Sequence, residues 1–98
     1  MKARVKVDQE LADLIPGFMD NRQSDISCLT TALQQGDFET IRVIGHTLKG
    51  IGGGYGFSAI TDIGAAIEQA AKEQDIPKAS RLTEALKNYL ENVEIVYE

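Results

Sequence analysis

The residues best suited to chemistry lie in the segment 44–50, which contains the single histidine of the chain, His46. Imidazole is the one side chain whose unperturbed pKa, about 6.5, leaves a neutral nucleophile at physiological pH. Lys49 and Gly50 follow three and four residues later, so on a helix they share the face of the histidine. The cation could stabilise an oxyanion, and the bare glycine would keep the ring open to a large partner. This set predicts a phosphate site.

The prediction requires a helix that turns His46 toward solvent. Apolar residues around the histidine recur with a helical period, at Phe38, Ile41, Ile44, Leu48, Ile51 and Tyr55. At 100° per residue, His46 falls about 200° from the two members of this stripe that flank it, and therefore points away from the core. Its own face also carries Arg42, which could add charge, and Gly53, which leaves further room. We predict the active helix at about residues 38–53.

The rest of the chain predicts further helices with short connections. Pro16 separates a short first helix from a longer one, which Gly36 ends. Ser58 is expected to cap the next helix, and Pro77 to lie in the first turn of the last one. Four helices with one apolar stripe each pack most simply as an antiparallel bundle. The predicted fold is all-α, an antiparallel four-helix bundle with a short extra N-terminal helix, in a single domain 1–98.

Three features leave alternatives open. Residues 1–7 are expected to form an N-terminal tail, but its end and residues 95–97 alternate like strands, so the two ends could pair, extend helices or fray. Arg22 falls near the stripe of the second helix. Two interpretations are open: its aliphatic stem packs along apolar surface, or its charge binds a partner. Three glycines could allow close helix approach or could simply be tolerated: Gly45, Gly52 and Gly64.

Composition excludes several classes of function. The net charge of −5 argues against nucleic acid and against an anionic membrane as partners. No run approaches the ~18 apolar residues of a transmembrane helix, and no apolar signal segment opens the chain, so a cytoplasmic location is expected. Cys28 has no second cysteine for a disulfide and no cluster of ligands for zinc. We expect it to be a small buried hydrophobe.

Two patterns typical of enzymes lack the structural context that their functions require. Residues 54–59 match the G-x-G-x-x-A dinucleotide fingerprint, but that fingerprint needs a preceding strand within a βαβ unit. A helical stripe precedes it here, and no Gly-Lys-Ser/Thr of a P-loop follows. A hydrolase triad is also missing, because one histidine and one cysteine without a strand-turn-helix elbow cannot assemble it.

The sequence His46-Thr47-Leu48-Lys49-Gly50 resembles the signature of histidine-containing phosphotransfer (HPt) domains of bacterial multistep phosphorelays. The resemblance extends upstream through residues 32–37. Downstream it includes Gly56, ten residues after the histidine, and the apolar pattern that leads to Glu68. It covers roughly residues 18–68. The glycines at 52–54 depart from the small polar residues that the family more often has, which predicts a short, kinked or mobile end of the active helix.

The resemblance implies that His46 accepts a phosphoryl group from an aspartyl phosphate on one receiver domain and passes it to another. It implies that Lys49 neutralises the phosphoryl oxygens and that Gly50 leaves room for the receiver's active-site loops. The Mg²⁺ would belong to the receiver, so neither a cofactor nor a metal is expected on this chain. The implied partners are response-regulator receiver domains and a hybrid histidine kinase.

Two other functions compete with this one. The phosphoacceptor part of a sensor kinase would want an acidic residue directly after the histidine, where Thr47 stands, and a nearby proline. A helical adaptor could bind a receiver or a kinase without being phosphorylated, although the presence of both His46 and Lys49 argues against it. We therefore expect a phosphocarrier without autonomous kinase activity.

Overall fold

The computed structural model describes residues 3–98, so residues 1 and 2 of the predicted tail lie outside it. A 3₁₀-helix at Gln9–Leu14 precedes four α-helices. Their bounds are α1 Ile15–Gln35, α2 Phe38–Gly54, α3 Ser58–Lys72 and α4 Ile76–Asn92. Two short strands flank the helices, β1 at Arg4–Val7 and β2 at Glu94–Tyr97.

The helices form the predicted bundle. Each packs against the next along the chain, and α4 packs against α1, which closes the ring of four. The all-α four-helix prediction is confirmed, and the short extra N-terminal helix is the 3₁₀-helix. Burial of each large apolar side chain stabilises such a core by roughly 1.5–3 kcal/mol. The fully buried ones include Leu29, Ile41, Leu48, Phe57, Ile60, Ile67 and Leu86.

The junction between α1 and α2 shows why the helices begin and end where they do. Gly36 follows α1 with a φ of 65°, a left-handed conformation that glycine adopts without steric cost. The next residue, Asp37, caps α2 by accepting a hydrogen bond from the Thr40 amide at 3.1 Å. A second bond from the Thr40 hydroxyl lowers the pKa of the Asp37 carboxyl further than the amide does. Both boundaries confirm the sequence prediction.

Two local predictions were wrong. Ser58 is the first residue of α3 and does not cap it; the N-cap position belongs to Phe57, and no side chain among residues 3–98 caps the helix. Phe57 is fully buried and stacks on Phe18 with ring centroids 5.2 Å apart, so apolar packing fixes this turn. Cys28 is exposed, because it lies about 100° around α1 from the buried Leu29.

The two ends of the chain pair with each other. β1 and β2 run parallel, with Arg4 opposite Glu94 and Val7 opposite Tyr97. An ion pair of 3.0 Å joins Arg4 to Glu94, and Val7 is 1% exposed. Parallel strands need a long crossover connection, which here is the whole bundle. Most of the predicted tail is therefore a strand.

Glycines allow α2 and α3 to approach closely. A Cβ at Gly45 would lie 2.6 Å from the backbone nitrogen of Glu68, and one at Gly64 would lie 2.5 Å from that of Lys49. A Cβ at Gly52 would likewise lie 2.7 Å from the Thr61 nitrogen. No side chain other than hydrogen fits at these positions without moving a helix. The structure thus confirms the close-approach interpretation of these three glycines.

Candidate functional site

Helix α2 presents His46 to solvent. The apolar stripe of this helix holds it against the core, with Ile41 and Leu48 fully buried. The imidazole on the opposite face is 66% exposed. The outward orientation predicted from the periodicity is the one observed.

The imidazole is held by a residue from the neighbouring helix. His46 Nδ1 lies 2.9 Å from Oε2 of Glu68 in α3. The second carboxylate oxygen, Oε1, accepts a hydrogen bond from Lys49 Nζ at 3.3 Å. The Glu68 side chain is only 10% exposed, whereas that of Lys49 is 46% exposed. One buried carboxylate therefore joins the predicted nucleophile to the predicted cation.

Glu68 is ionised in this environment. Burial raises the pKa of its carboxyl, but the hydrogen bonds from His46 and Lys49 and the charge of Lys49 lower it further than burial raises it. The resulting pKa lies below the ordinary glutamate value. At neutral pH the group carries a full negative charge, and each of its oxygens has a hydrogen-bond partner.

This contact fixes the chemical form of the ring. An ionised carboxylate can only accept a hydrogen bond, so Nδ1 of His46 carries the proton that it donates to Glu68. In the neutral ring the lone pair is then on Nε2. Because the Nδ1 side of the ring is occupied by Glu68, Nε2 is the nitrogen available at the exposed edge.

The sequence predictions place no role on Glu68, and the reason is physical. Its effect depends on the rotation and depth at which α3 packs on α2, which the glycine contacts at Gly45 and Gly64 determine. One signal was present in the sequence. Glu68 lies one turn after Gly64 on a helix whose other neighbours, Ile67 and Ala71, are buried, and a lone acid among core residues usually has a partner.

The remaining predicted residues fall into two groups. Gly50 is open, since a Cβ added there would meet none of the described atoms within 4 Å, and one at Gly53 would meet only Thr61 Oγ1, at 3.8 Å. Arg42 instead lies with Glu39, whose carboxylate accepts from its Nε at 3.2 Å and its Nη2 at 2.6 Å. This hydrogen bonding and the charge of Glu39 raise the pKa of Arg42. In the structure Glu68 links Lys49 to His46, whereas Arg42 pairs with Glu39.

The glycine run does not shorten the active helix. Helix α2 continues through Gly54, one residue beyond the predicted end. The chain then turns at Gly56, whose φ is 83°, and the Phe57 amide donates back to the Gly52 carbonyl at 2.9 Å. The helix therefore extends two full turns past His46.

The site contains an exposed imidazole, an ammonium group and a buried carboxylate that contacts both. Among residues 3–98, no three His, Cys, Asp or Glu side chains come together in a way that could hold a metal ion. Within the same residues, none of the helices has the length and hydropathy needed to cross a bilayer.

Comparison with known families agrees with this geometry. The family described as Hpt domain matches residues 9–95, nearly the whole chain. The chain therefore belongs to the Hpt domain family, which serves histidine phosphotransfer in phosphorelays and whose members are phosphocarriers that interact with receiver domains and kinases. No curated protein and no solved structure gives a significant match.

Proposed function

We propose that the protein is a phosphorelay intermediate in which His46 accepts a phosphoryl group from the aspartyl phosphate of one receiver domain and passes it to a second receiver. The observation that carries this proposal is the contact of His46 Nδ1 with the buried carboxylate of Glu68. It leaves Nε2 as the nucleophile on an exposed ring. A hybrid histidine kinase would supply the first receiver.

The transfer step needs little from this chain beyond orientation and charge. The Nε2 lone pair attacks phosphorus, an N–P bond forms, and the acyl P–O bond of the aspartyl phosphate breaks with its electrons going to the leaving carboxylate. The proton stays on Nδ1, so the phosphorylated ring becomes cationic. Glu68 stabilises that charge through the hydrogen bond it already accepts. The second transfer reverses these events onto the aspartate of the next receiver.

Lys49 and Gly50 serve the phosphoryl group and its carrier. Lys49 is half exposed and is bound to the site only through Glu68, so its ammonium can turn toward the phosphoryl oxygens and neutralise them. Gly50 lies one turn after His46, and the open space above it accommodates the receiver's active-site loops. Gly53 extends that space by another turn. The Mg²⁺ of the reaction is assigned to the receiver.

The decisive experiment is a transfer assay. The protein and a His46→Gln variant are incubated with radiolabelled phospho-receivers from the same organism. Label that is acid-labile, base-stable and absent from the variant supports the proposal. If several receivers bind but none transfers label, the protein is a helical adaptor and the phosphocarrier proposal is wrong.

Two further variants in the same assay assign the cations. Lys49→Gln is expected to slow transfer about tenfold, the effect of losing one charged hydrogen bond to a phosphoryl oxygen. Arg42→Gln is expected to stay within about twofold of wild type, because Glu39 already engages the guanidinium. An equal loss in both variants would instead make Arg42 a second phosphate ligand.

A further inference from the structure

A groove runs between α1 and α2, on the side of α2 opposite to Glu68. It encloses about 430 Å³. It begins next to the phosphoacceptor, since Thr47, the residue after His46, is part of its wall. We call it the α1–α2 groove; its lining residues include Leu14, Gly17, Arg22, Thr47, Ile51 and Tyr55.

Arg22 is the cation of this groove. Its side chain is 10% exposed, its Cζ lies 4.8 Å from the centre of the Phe18 ring, and its Nε donates to Asp25 Oδ2 at 2.8 Å. Within residues 3–98, no hydrogen bond uses its two terminal nitrogens. A guanidinium has five N–H donors, so four of them remain available. The stacked ring and the Asp25 contact hold the fork in one orientation.

The other lining residues offer both apolar and polar contacts to a bound side chain. Leu14 is 53% exposed, and the half-buried Ile51 lines the same groove. Asn21 from α1 and Tyr55 from the end of α2 add polar groups to the lining. Gly17 leaves the rim open, because a Cβ there would meet none of the described atoms within 4 Å.

We infer that the α1–α2 groove receives an acidic side chain of the partner receiver, and that Arg22 binds its carboxylate. The inference rests on the proposed function, because a receiver positioned for transfer must cover the surface beside His46. A guanidinium fork matches the two oxygens of a carboxylate, and such pairs are directional. Arg22 thereby discriminates between receivers.

The test compares Arg22→Met with Arg81→Met. The first variant keeps an apolar stem over Phe18 but removes the fork, and the second removes the same charge from the exposed surface of α4. The probe is the receiver that labels the wild-type protein fastest. Its Kd is expected to rise at least tenfold for Arg22→Met, and to stay within twofold for Arg81→Met. The rate of transfer from this receiver is measured for each variant as well. It is divided by the rate of labelling with phosphoramidate, a small donor that needs only His46.

Asp25→Asn separates binding from a purely structural role. It removes the internal partner of Arg22 but leaves the terminal nitrogens in place, so receiver affinity is expected to be equal or higher. If Arg22 served only to hold α1 through Asp25, Asp25→Asn and Arg22→Met would weaken binding alike, and the inference would be wrong.

The two proposals fail in different ways. Normal receiver affinity of Arg22→Met, with the wild type still labelled, overturns the carboxylate site and leaves the phosphocarrier function standing. Absence of label on the wild type with every receiver overturns the phosphocarrier function, and this inference with it. Weaker affinity of Arg22→Met, with a smaller dependence on salt concentration than that of the wild type, supports the inference, because the lost contact is electrostatic.

Discussion

Helix α2 has two unlike neighbours. On the α3 side, the backbones approach so closely that a Cβ at Gly64 would lie 2.5 Å from the Lys49 nitrogen. On the α1 side, larger residues such as Phe18 and Tyr55 keep the helices further apart, and a groove opens between them. The same helix is thus tightly packed along one edge and open along the other.

The difference assigns separate tasks to the two edges. The tight edge brings Glu68 to within 2.9 Å of His46 Nδ1, a distance that depends on the depth of the α2–α3 contact. The open edge is a groove lined by the nearly buried Arg22, the exposed Leu14 and Thr47, the residue after the same histidine. On the two proposals made above, we expect α3 to position His46 and α1 to contribute the surface on which a partner is selected.

Replacing Gly64 with alanine is the most severe test of the tightly packed edge between α2 and α3, and the same change at Gly50 is its control. Gly64→Ala is expected to lower the free energy of unfolding by about 3 kcal/mol, since its Cβ meets backbone atoms that cannot move independently. Gly50→Ala is the matched control on the exposed face, where alanine is expected to stabilise the helix by about 0.5–1 kcal/mol. Urea denaturation followed by circular dichroism measures both. If Gly64→Ala and the wild type have the same free energy of unfolding, α3 can shift away from α2 without cost.

Glutamine at Gly50 tests whether the exposed face must stay bare. Gly50→Gln is expected to leave the helical circular dichroism unchanged and to slow receiver transfer about a hundredfold, the usual cost of displacing reacting groups by about 1 Å. Labelling by phosphoramidate, which needs less space, is expected to fall much less. Ser80→Gln, an equally long side chain on the exposed surface of α4, serves as the control. Full-rate transfer by Gly50→Gln would remove the steric argument.

The charge of Glu68 predicts a smaller, pH-dependent effect. Because the pKa of Glu68 is lowered in the folded protein, its ionised form stabilises the fold at pH values above the ordinary glutamate pKa. That stabilisation is lost as the pH falls from 4.5 through the lowered value. The difference in Tm between wild type and Glu68→Gln is therefore expected to be positive at pH 7 and to shrink by pH 3.

Thermal melts of the two proteins at a series of pH values measure this difference. The acids that cap helices, such as Asp37, titrate in both proteins and cancel. A difference in Tm that stays constant from pH 7 to pH 3 would mean that the Glu68 charge does not stabilise the fold.

Local features of the sequence predicted most of the fold. Gly36 and Asp37 define the end of one helix and the start of the next through interactions within a few residues. The stripe from Phe38 to Tyr55 oriented His46 correctly, because a helical period fixes which residues face the core. Arg22 is buried, as its position near the stripe predicted, and its guanidinium carbon lies over the Phe18 ring.

Two of the features that sequence reasoning missed depend on distant parts of the chain. Glu68 lies 22 residues from His46, and only the packing depth of α3 brings the two side chains together. Phe57 takes the N-cap position from Ser58 because it fills the core beside Phe18. Cys28 was misplaced for a simpler reason, since a stripe read from one sequence has an uncertain width, and this residue borders it.

The pairing of β1 with β2 has a consequence for how the protein folds. It joins Arg4 to Glu94, which are 90 positions apart in the chain, so it closes almost the longest loop available. Closing such a loop in an unfolded chain costs considerable entropy, and contacts of this kind form slowly. Once the four helices have assembled, the two ends already lie side by side and little of that cost remains. We expect the strands to be the last element to form and the first to open.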